Sequence, residues 1–181
     1  MNRFWLPLGI FAALVVVFAV ALKRAPEKQF VQSALIGKSA PAFVMPDLLQ
    51  PGANVDSADY KGKWVLLNVW GTWCYECRAE HAQLLAIQRE GKVQVIGLNY
   101  KDDDMAARQW LQELGNPYAA VGIDKEGRVA IDYGVYGAPE SFLINPQGVI
   151  VHKVVSVITP ELWQTKLLPL VEGKTVEGKT P

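Results

Sequence analysis

Histidine and cysteine are scarce in this chain, and its charged residues show no excess of either sign. The 181 residues include two histidines and two cysteines, and 18 basic residues balance 18 acidic ones. The histidines, His81 and His152, lie far apart in the sequence, which leaves little material for a dedicated metal site. A net charge of zero indicates neither a basic surface for nucleic acid nor an acidic tail for a cationic partner. We therefore expect no metal, no cofactor and no nucleic-acid partner.

The N-terminal segment contains an apolar run without a charged residue, from Phe4 to Leu22. About twenty apolar residues in a helix cross the hydrocarbon core of a bilayer. The length of the run favours an uncleaved membrane anchor, although the small residues Ala19–Ala21 leave a cleaved signal peptide as the alternative. The predicted organisation is an anchor at 1–24 with residues 4–22 spanning, a tether at 25–34, a folded domain at 35–172 and a loose polar tail at 173–181.

Apolar runs typical of strands alternate with helical patterns along the rest of the chain. The predicted strands are Lys63–Trp70, Val93–Tyr100, Tyr118–Ile123 and a hairpin of Ser141–Ile144 with Val149–Val155. The predicted helices are Tyr75–Arg89, residues 102–115 and Pro160–Val171, and the stretches AFVMPDL and NVDSADYKG suit a small N-terminal β element. This order predicts an α/β domain with a central mixed sheet flanked by helices.

Both cysteines, Cys74 and Cys77, fall where the first long strand ends and the first long helix begins. The free N–H groups and the dipole at a helix N-terminus stabilise a thiolate, so Cys74 is the candidate attacking nucleophile. Cys77 lies one turn further on, close enough to form a disulfide with Cys74 and to resolve a mixed disulfide with a partner. We expect Cys74 to be exposed and Cys77 to be more buried.

Three other interpretations of the cysteine pair remain open. A purely structural disulfide would close a very small loop and stabilise the fold little. A metal site would need further ligands, and two inert buried cysteines would need no function at all. The position between a strand and a helix favours redox chemistry.

Several motifs carry a resemblance to known proteins. The segment NVWGTWCYEC resembles the active-site segment of the thioredoxin superfamily, and GVYGAPESF resembles its cis-proline loop. Together with CRAEH, LNYKDDD and LGNPYA, these motifs resemble the membrane-anchored DsbE/CcmG proteins of bacterial cytochrome c maturation over nearly the whole chain. The resemblance implies a thioredoxin-like fold and a thiol-disulfide oxidoreductase that keeps the haem-ligating cysteines of apocytochrome c reduced.

The same resemblance implies partners and a location. The client would be the Cys-x-x-Cys-His segment of apocytochrome c, and electrons would come from a membrane reductant of the DsbD/CcdA kind. Other cytochrome c maturation proteins would be further partners. The chain would cross the bacterial inner membrane once, with its C-terminal domain in the periplasm.

Site residues follow from the family's motifs. Cys74 and Cys77 would form the redox-active disulfide, and a cis peptide bond between Ala138 and Pro139 would turn the main chain of Ala138 towards Cys74. An extended client could then pair with that main chain, with Trp73 beside it. The chain departs from the superfamily pattern at Tyr75-Glu76, where a proline often follows the first cysteine. The residues between the two cysteines help to set the redox potential, so this departure affects the potential and not the type of reaction.

Two glutamates are candidates for proton transfer and pKa tuning. Thioredoxin has a buried aspartate in the strand before the motif, where this chain has Asn68, which cannot take a proton from Cys77. In the family resembled, that task falls to acids that match Glu80 and Glu140. Glu80 lies three residues after Cys77 on the same helix face, so it is the candidate base for Cys77. Glu140 is expected to face the same pocket and to tune the thiol pKa.

Other polar residues receive structural interpretations. His81 is expected on the helix surface or partly buried, and His152 in the hairpin is expected to be structural. Tyr100, Lys101 and Asp102 end a strand at the same sheet edge as the cysteines and are interpreted as loop scaffold.

The charges that flank the apolar run disagree with the redox chemistry about orientation. Lys23, Arg24 and Lys28 follow the run, and their positive charge predicts a cytoplasmic domain, whereas disulfide chemistry favours a domain outside the cytoplasm. Because the charge count is short and nearly balanced, we follow the redox argument and expect the domain in the periplasm. Other functions also fit the motif: a general periplasmic thiol reductase or isomerase, a thiol peroxidase, or a membrane-tethered copper or zinc chaperone.

Overall fold

The computed structural model describes residues 5–24 and 33–174, which belong to two units, residues 1–31 and residues 32–181. The first unit contains helix α1 (Trp5–Arg24). Across the described residues, no helix combines the length and the apolar composition that crossing a membrane requires. The predicted tether lies outside the described residues except for Ser33 and Ala34, as does the predicted tail except for Gly173 and Lys174.

The second unit is built on seven strands and several helices. The strands are β1 (Val44–Pro46), β2 (Asn54–Asp56), β3 (Val65–Trp70), β4 (Gln94–Tyr100), β5 (Ala120–Asp124), β6 (Glu140–Ile144) and β7 (Ile150–Val154). The helices are α2 (Tyr75–Glu90), α3 (Asp104–Leu114), α4 (Arg128–Asp132), α5 (Pro160–Leu162) and α6 (Leu168–Val171), with a π-helical turn (Trp163–Leu167) between the last two.

Five strands form a mixed sheet in the order β5-β4-β3-β6-β7. Strand β4 pairs in parallel with β3 and β5, whereas β6 pairs antiparallel with β3 and β7. Because β3 has a neighbour on each side and apolar layers on both faces, all six of its side chains are buried. This arrangement confirms the mixed α/β sheet.

Apolar side chains pack on both faces of the sheet. The core on the helix α2 side, here the α2-side core, includes Leu66, Cys74, Cys77, Leu84, Trp110, Tyr118 and Trp163. The opposite core, here the hairpin-side core, includes Met45, Leu67, Val69, Tyr133 and Phe142. Alternate residues of a strand point to opposite faces, so Leu66 and Leu67 of β3 belong to different cores.

The ends of helices α2 and α3 follow from local chemistry. Cys74 is the N-cap of α2, and its Sγ accepts a hydrogen bond from the N–H of Cys77. The helix ends at Gly91, whose φ of 65° is the left-handed conformation that glycine adopts without strain. In α3 the carboxylate of Asp103 caps the first turn by accepting from Met105 N and Ala106 N.

One of the remaining elements matches the sequence-based expectation and two differ from it. The small N-terminal β element is confirmed, since β1 and β2 pair antiparallel. The short helix α4 was not predicted; it is held by Asp124, whose Oδ2 accepts from Ala130 N at 2.9 Å. The predicted helix Pro160–Val171 is interrupted by the π-helical turn. Pro169 has no N–H to donate, so regular hydrogen bonding cannot continue through it.

Candidate active site

The two cysteines lie at the junction between strand β3 and helix α2, where the sequence predicts them. They form a disulfide with a Cα–Cα distance of 5.3 Å. The N–H of Cys77 donates to Cys74 Sγ at 3.0 Å. Once the disulfide is reduced, the same N–H can stabilise a thiolate on Cys74, together with the positive end of the helix dipole.

Both cysteines are buried in the disulfide form, which corrects the expectation that Cys74 is exposed. Their exposed fractions are 4% for Cys74 and 3% for Cys77. The cause is packing, since both side chains belong to the α2-side core. The neighbours Trp73 and Tyr75 are 52% and 83% exposed, so the surface around the disulfide is aromatic while the sulfur atoms lie beneath it.

The loop before Cys74 is fastened to the loop after strand β4. The carboxylate of Asp102 accepts from Thr72 N at 2.7 Å and from Thr72 Oγ1 at 2.6 Å. It also accepts from Asn99 Nδ2 at 2.8 Å and from Asp103 N at 2.9 Å. With four donors, Asp102 holds the two loops together. The scaffold interpretation therefore fits its geometry, but the sequence does not show the link to Thr72.

Trp73 is held by Tyr100, the last residue of strand β4. Its indole Nε1 donates to the carbonyl oxygen of Tyr100 at 3.1 Å, and the two rings meet edge to face with centroids 6.2 Å apart. Lys101 adopts a φ of 49°, and its ammonium lies 5.1 Å from the centroid of the Tyr100 ring. These contacts fix the side chain immediately before Cys74 while leaving half of it accessible.

Glu80 is a buried carboxylate rather than a solvated helix residue. Its side chain lies one turn after Cys77, and the residue is 1% exposed. Oε1 accepts from Asn68 Nδ2 at 2.8 Å, and Oε2 accepts from Ile158 N at 2.8 Å. Burial raises the pKa of Glu80 to about 7, although the hydrogen bonds from Ile158 and Asn68 oppose that rise. A carboxyl group with such a pKa can both take up and release a proton near neutral pH.

A polar network under helix α2 surrounds Glu80. Asn68 Nδ2 also donates to Ser141 Oγ at 3.0 Å, and Tyr118 Oη donates to Asn68 Oδ1 at 2.8 Å. Burial, with a smaller contribution from the charge of Glu80, raises the pKa of Tyr118 well above its usual value, so Tyr118 remains a donor. The sequence signal for this network is Asn68 itself, a polar residue inside the apolar run of β3.

Glu140 lies on the opposite face of the sheet from Glu80. In the β3–β6 register, Asn68 is opposite Ser141 and Val69 is opposite Glu140. Because neighbouring residues of a strand alternate between faces, Glu140 points to the hairpin-side core with Val69. The expectation that Glu140 and Glu80 share a pocket is therefore wrong. Glu140 Oε2 instead lies 2.8 Å from Lys153 Nζ, and the role of Glu140 in tuning the thiol pKa stays a prediction.

The peptide bond between Ala138 and Pro139 is cis, as the resemblance implies. Ala138 packs against the α2-side core, which contains both cysteines, and also against the hairpin-side core. Glu140, which follows Pro139, pairs with Val69 near the end of β3, so the proline loop and the disulfide lie at the same end of the sheet.

The histidines do not join the site. His81 is buried at 5% exposure, more than expected; Nε2 lies 2.9 Å from the carbonyl oxygen of Gly115, and Nδ1 accepts from Trp110 Nε1. These two contacts suit the neutral ring protonated at Nε2, and burial lowers the pKa of His81. His152 is half-buried, and burial likewise lowers its pKa.

Comparisons with known proteins agree with this geometry. The Redoxin family model matches residues 35–165. The chain is 47% identical to the thiol:disulfide interchange protein DsbE of Pseudomonas aeruginosa, over 92% of this chain and 91% of that protein. It is 44% identical to DsbE of Escherichia coli K12, over 96% of this chain and 95% of that protein.

A solved structure shows the same fold. The thioredoxin domain of a thiol-disulfide oxidoreductase from Bacteroides vulgatus superposes with a TM-score of 0.65 at 27% identity. The match covers 75% of this chain and 97% of that one. The thioredoxin-like fold expected from the motifs is therefore confirmed.

Proposed function

Because the chain belongs to the DsbE family of thiol:disulfide interchange proteins, we propose that it reduces disulfides of apocytochrome c during bacterial cytochrome c maturation. The chain is a thiol-disulfide oxidoreductase that carries its redox pair in a Redoxin domain. The client in this proposal is the Cys-x-x-Cys-His segment whose thiols must be free before haem attachment. The observation that carries the thiol-exchange part of the proposal is the Cys74–Cys77 disulfide at the N-terminus of helix α2, and the cytochrome client is the one that the family resemblance implies.

The proposed reaction starts from the reduced dithiol. The thiolate of Cys74 attacks the client disulfide, forms a mixed disulfide and releases one client thiolate. Cys77 loses its proton to Glu80 and attacks the Cys74 sulfur. The Cys74–Cys77 disulfide then forms, and the second client thiolate leaves and is protonated. Two electrons pass from the protein to the client, and a membrane reductant of the DsbD/CcdA kind restores the dithiol.

The surroundings of Cys74 support a reducing rather than an oxidising role. A strong oxidant stabilises its reduced form through a very low pKa of the attacking thiol. Here the basic residue nearest in sequence is Arg78, and its guanidinium lies 5.3 Å from the centroid of the Trp110 ring. Glu76 sits between the cysteines and Glu80 lies one turn on; where such carboxylates are ionised, they disfavour a thiolate.

We propose that residues 4–22 anchor the chain in the inner membrane and that the redox domain faces the periplasm. The support is the uncharged apolar run in the sequence and the need for a compartment where client cysteines become oxidised. A β-lactamase fused after Pro181 should be active, and a green fluorescent protein fused at the same position should stay dark. If the β-lactamase fusion is inactive and the green fluorescent protein fusion is fluorescent, the orientation is the reverse of the one proposed.

A trapping experiment tests the client. Without a resolving thiol, Cys77→Ala should accumulate a mixed disulfide through Cys74 in cells, and a Cys74→Ala variant is the matched control that should accumulate none. Recovery of an apocytochrome peptide containing Cys-x-x-Cys-His supports the proposal. Recovery of many unrelated periplasmic proteins instead would assign a general reductase.

The role of Glu80 has a kinetic test. Glu80→Gln keeps the size of the side chain but cannot accept the proton of Cys77, so resolution should slow more than the first attack by Cys74. Stopped-flow measurement of both steps separates them. Equal slowing of the two steps would reject Glu80 as the base for Cys77.

A further inference from the structure

A buried ion pair lies next to the proline loop, on the sheet face away from Glu80. Lys153 of strand β7 and Glu140, the first residue of β6, approach to 2.8 Å between Nζ and Oε2. Their side chains are 4% and 2% exposed. Lysine is almost never buried to this degree unless a partner compensates its charge. The pair therefore requires both members to be present.

Each member of the pair also binds the main chain of the loop that leads into Pro139. Lys153 Nζ donates to the carbonyl oxygen of Gly134 at 2.7 Å. Glu140 Oε1 accepts from the N–H of Tyr136 at 2.9 Å. Hydrogen bonds that involve an ionised group are stronger than those between neutral groups. The ion pair thus fastens two points of the Gly134–Ala138 loop to the sheet.

The loop has few other main-chain attachments within residues 33–174. Helix α4 holds its start, where Gly134 N donates to Ile131 O and Val135 N donates to Ala130 O. Beyond Val135, the N–H of Tyr136 donates to Glu140 Oε1. The ammonium of Lys153 also lies 4.9 Å from the centroid of the Tyr136 ring, which is 82% exposed. Val135 packs against the hairpin-side core and Ala138 packs against both cores, and the ion pair adds the polar attachments at Gly134 and Tyr136 that fix the main chain of the loop.

We propose that Lys153 is a positioning residue for disulfide exchange: through its ion pair with Glu140 it fixes the Gly134–Ala138 loop, against which an extended client docks beside the disulfide. The inference rests on the proposed function and on the docking of its client at the main chain of Ala138, which the family resemblance implies. A buried ion pair adds little net stability compared with apolar residues of the same size. Its contribution here is geometric, because it holds a loop whose two glycines, Gly134 and Gly137, leave it flexible.

The test compares extended and small substrates in the full chain. Lys153→Met keeps much of the side-chain length but removes the charge and the donor to Gly134. The rate constant for reducing a disulfide peptide with a Cys-x-x-Cys-His segment should fall at least about tenfold, through a higher KM. The rate with oxidised glutathione, which needs no main-chain docking, should stay within about twofold.

Two variants accompany this comparison. Lys153→Arg keeps a cation and its donors, but the bulkier planar guanidinium must fit against the Tyr136 and Phe142 rings, so it should recover the peptide rate only in part. Lys166→Met removes an exposed lysine of the π-helical turn and should change neither rate. Equal losses with peptide and glutathione in Lys153→Met would overturn the proposal, as would a peptide rate within twofold of the original.

The double variant Lys153→Met with Glu140→Gln covers the case in which the single variant fails to fold. It removes both buried charges and still lacks the donor to Gly134, so it should show the same selective loss. Intact insulin, whose two chains are joined by disulfides, serves as a second polypeptide substrate. If the original chain reduces insulin but not the cytochrome peptide, the proposed client is wrong and the Lys153 comparison is decided on insulin. An original chain that reduces neither would overturn the docking inference.

Discussion

Replacing Glu80 by glutamine should remove a specific pH dependence from the stability of the protein. Burial raises the pKa of Glu80 from 4.5 to about 7 in the folded chain. Folding therefore favours the protonated form, so the stabilisation is fully present below about pH 4.5 and is lost as pH rises to about 7. One pKa unit is worth about 1.4 kcal/mol, so the free energy of unfolding should fall by about 3 kcal/mol across this interval.

The Glu80→Gln variant cannot ionise and should lack this fall. At fixed pH the substitution has a second effect, because the side-chain NH₂ group of glutamine would face Asn68 Nδ2 or Ile158 N, both of which donate to Glu80. That mismatch costs about 1–3 kcal/mol at every pH. The informative quantity is therefore the change in the stability difference between the two proteins with pH, not its value at one pH.

Urea unfolding of the disulfide form, followed by tryptophan fluorescence from pH 4.5 to pH 8.5, measures this change. The original chain should lose about 3 kcal/mol relative to Glu80→Gln across that range. Glu113→Gln is the matched control, since Glu113 is an exposed glutamate of helix α3. The difference in free energy of unfolding between this variant and the original chain should vary by less than about 0.5 kcal/mol over the same pH range. If the stability difference between Glu80→Gln and the original chain stays constant with pH, Glu80 does not bind a proton near neutral pH in the folded protein.

Three further substitutions test the frame around the site, each by urea unfolding at pH 7. Asp102→Ala leaves both donors of Thr72 without their acceptor and should cost about 2–4 kcal/mol; a cost below about 1 kcal/mol would contradict the loop link. Gly97→Ala places a Cβ 2.8 Å from Trp70 Nε1 and should cost about 1–3 kcal/mol, whereas a neutral effect would show that the ring can move. Asp103→Ala removes the cap of α3 and should cost about 1 kcal/mol, and no loss would mean that another group replaces the cap.

The sequence predicts the central elements well because they carry strong local signals. The run from Lys63 to Trp70 predicts a strand buried on both faces, and β3 covers Val65–Trp70 in the middle of the sheet. The junction of strand and helix places Cys74 at the helix N-terminus, and it is the N-cap of α2. These features depend on residues close in the chain, which is why the pattern is sufficient.

The contacts that shape the site join residues far apart in the chain, and no local pattern contains them. Ile158, which donates to Glu80, lies 78 residues away along the chain. Asp102 and Thr72 are 30 residues apart. A single lysine among the alternating residues of β7 suggests a solvent-facing side chain, and its burial follows only from the carboxylate of Glu140 on the neighbouring strand.

The prediction that Cys74 is exposed is wrong for a related reason. Attack on a partner's disulfide calls for an accessible sulfur, but the pattern of the sequence cannot tell how deeply the first turn of α2 sinks into the core. The structure places Cys74 with Trp70 and Trp110 in the α2-side core. A client disulfide must therefore come close to the protein surface to reach the sulfur of Cys74.

The alternation of β3 and β6 also has an evolutionary consequence. The sheet separates Glu80, with its proton-binding network, from the Lys153–Glu140 pair that holds the proline loop. Substitutions at sites that share no partners tend to have additive effects. A lineage can therefore retune how protons are handled at the cysteines without altering how a client is held, and can change client preference without disturbing the redox pair. Two properties of one catalyst can therefore change through separate substitutions, because the sheet lies between the residues that govern them.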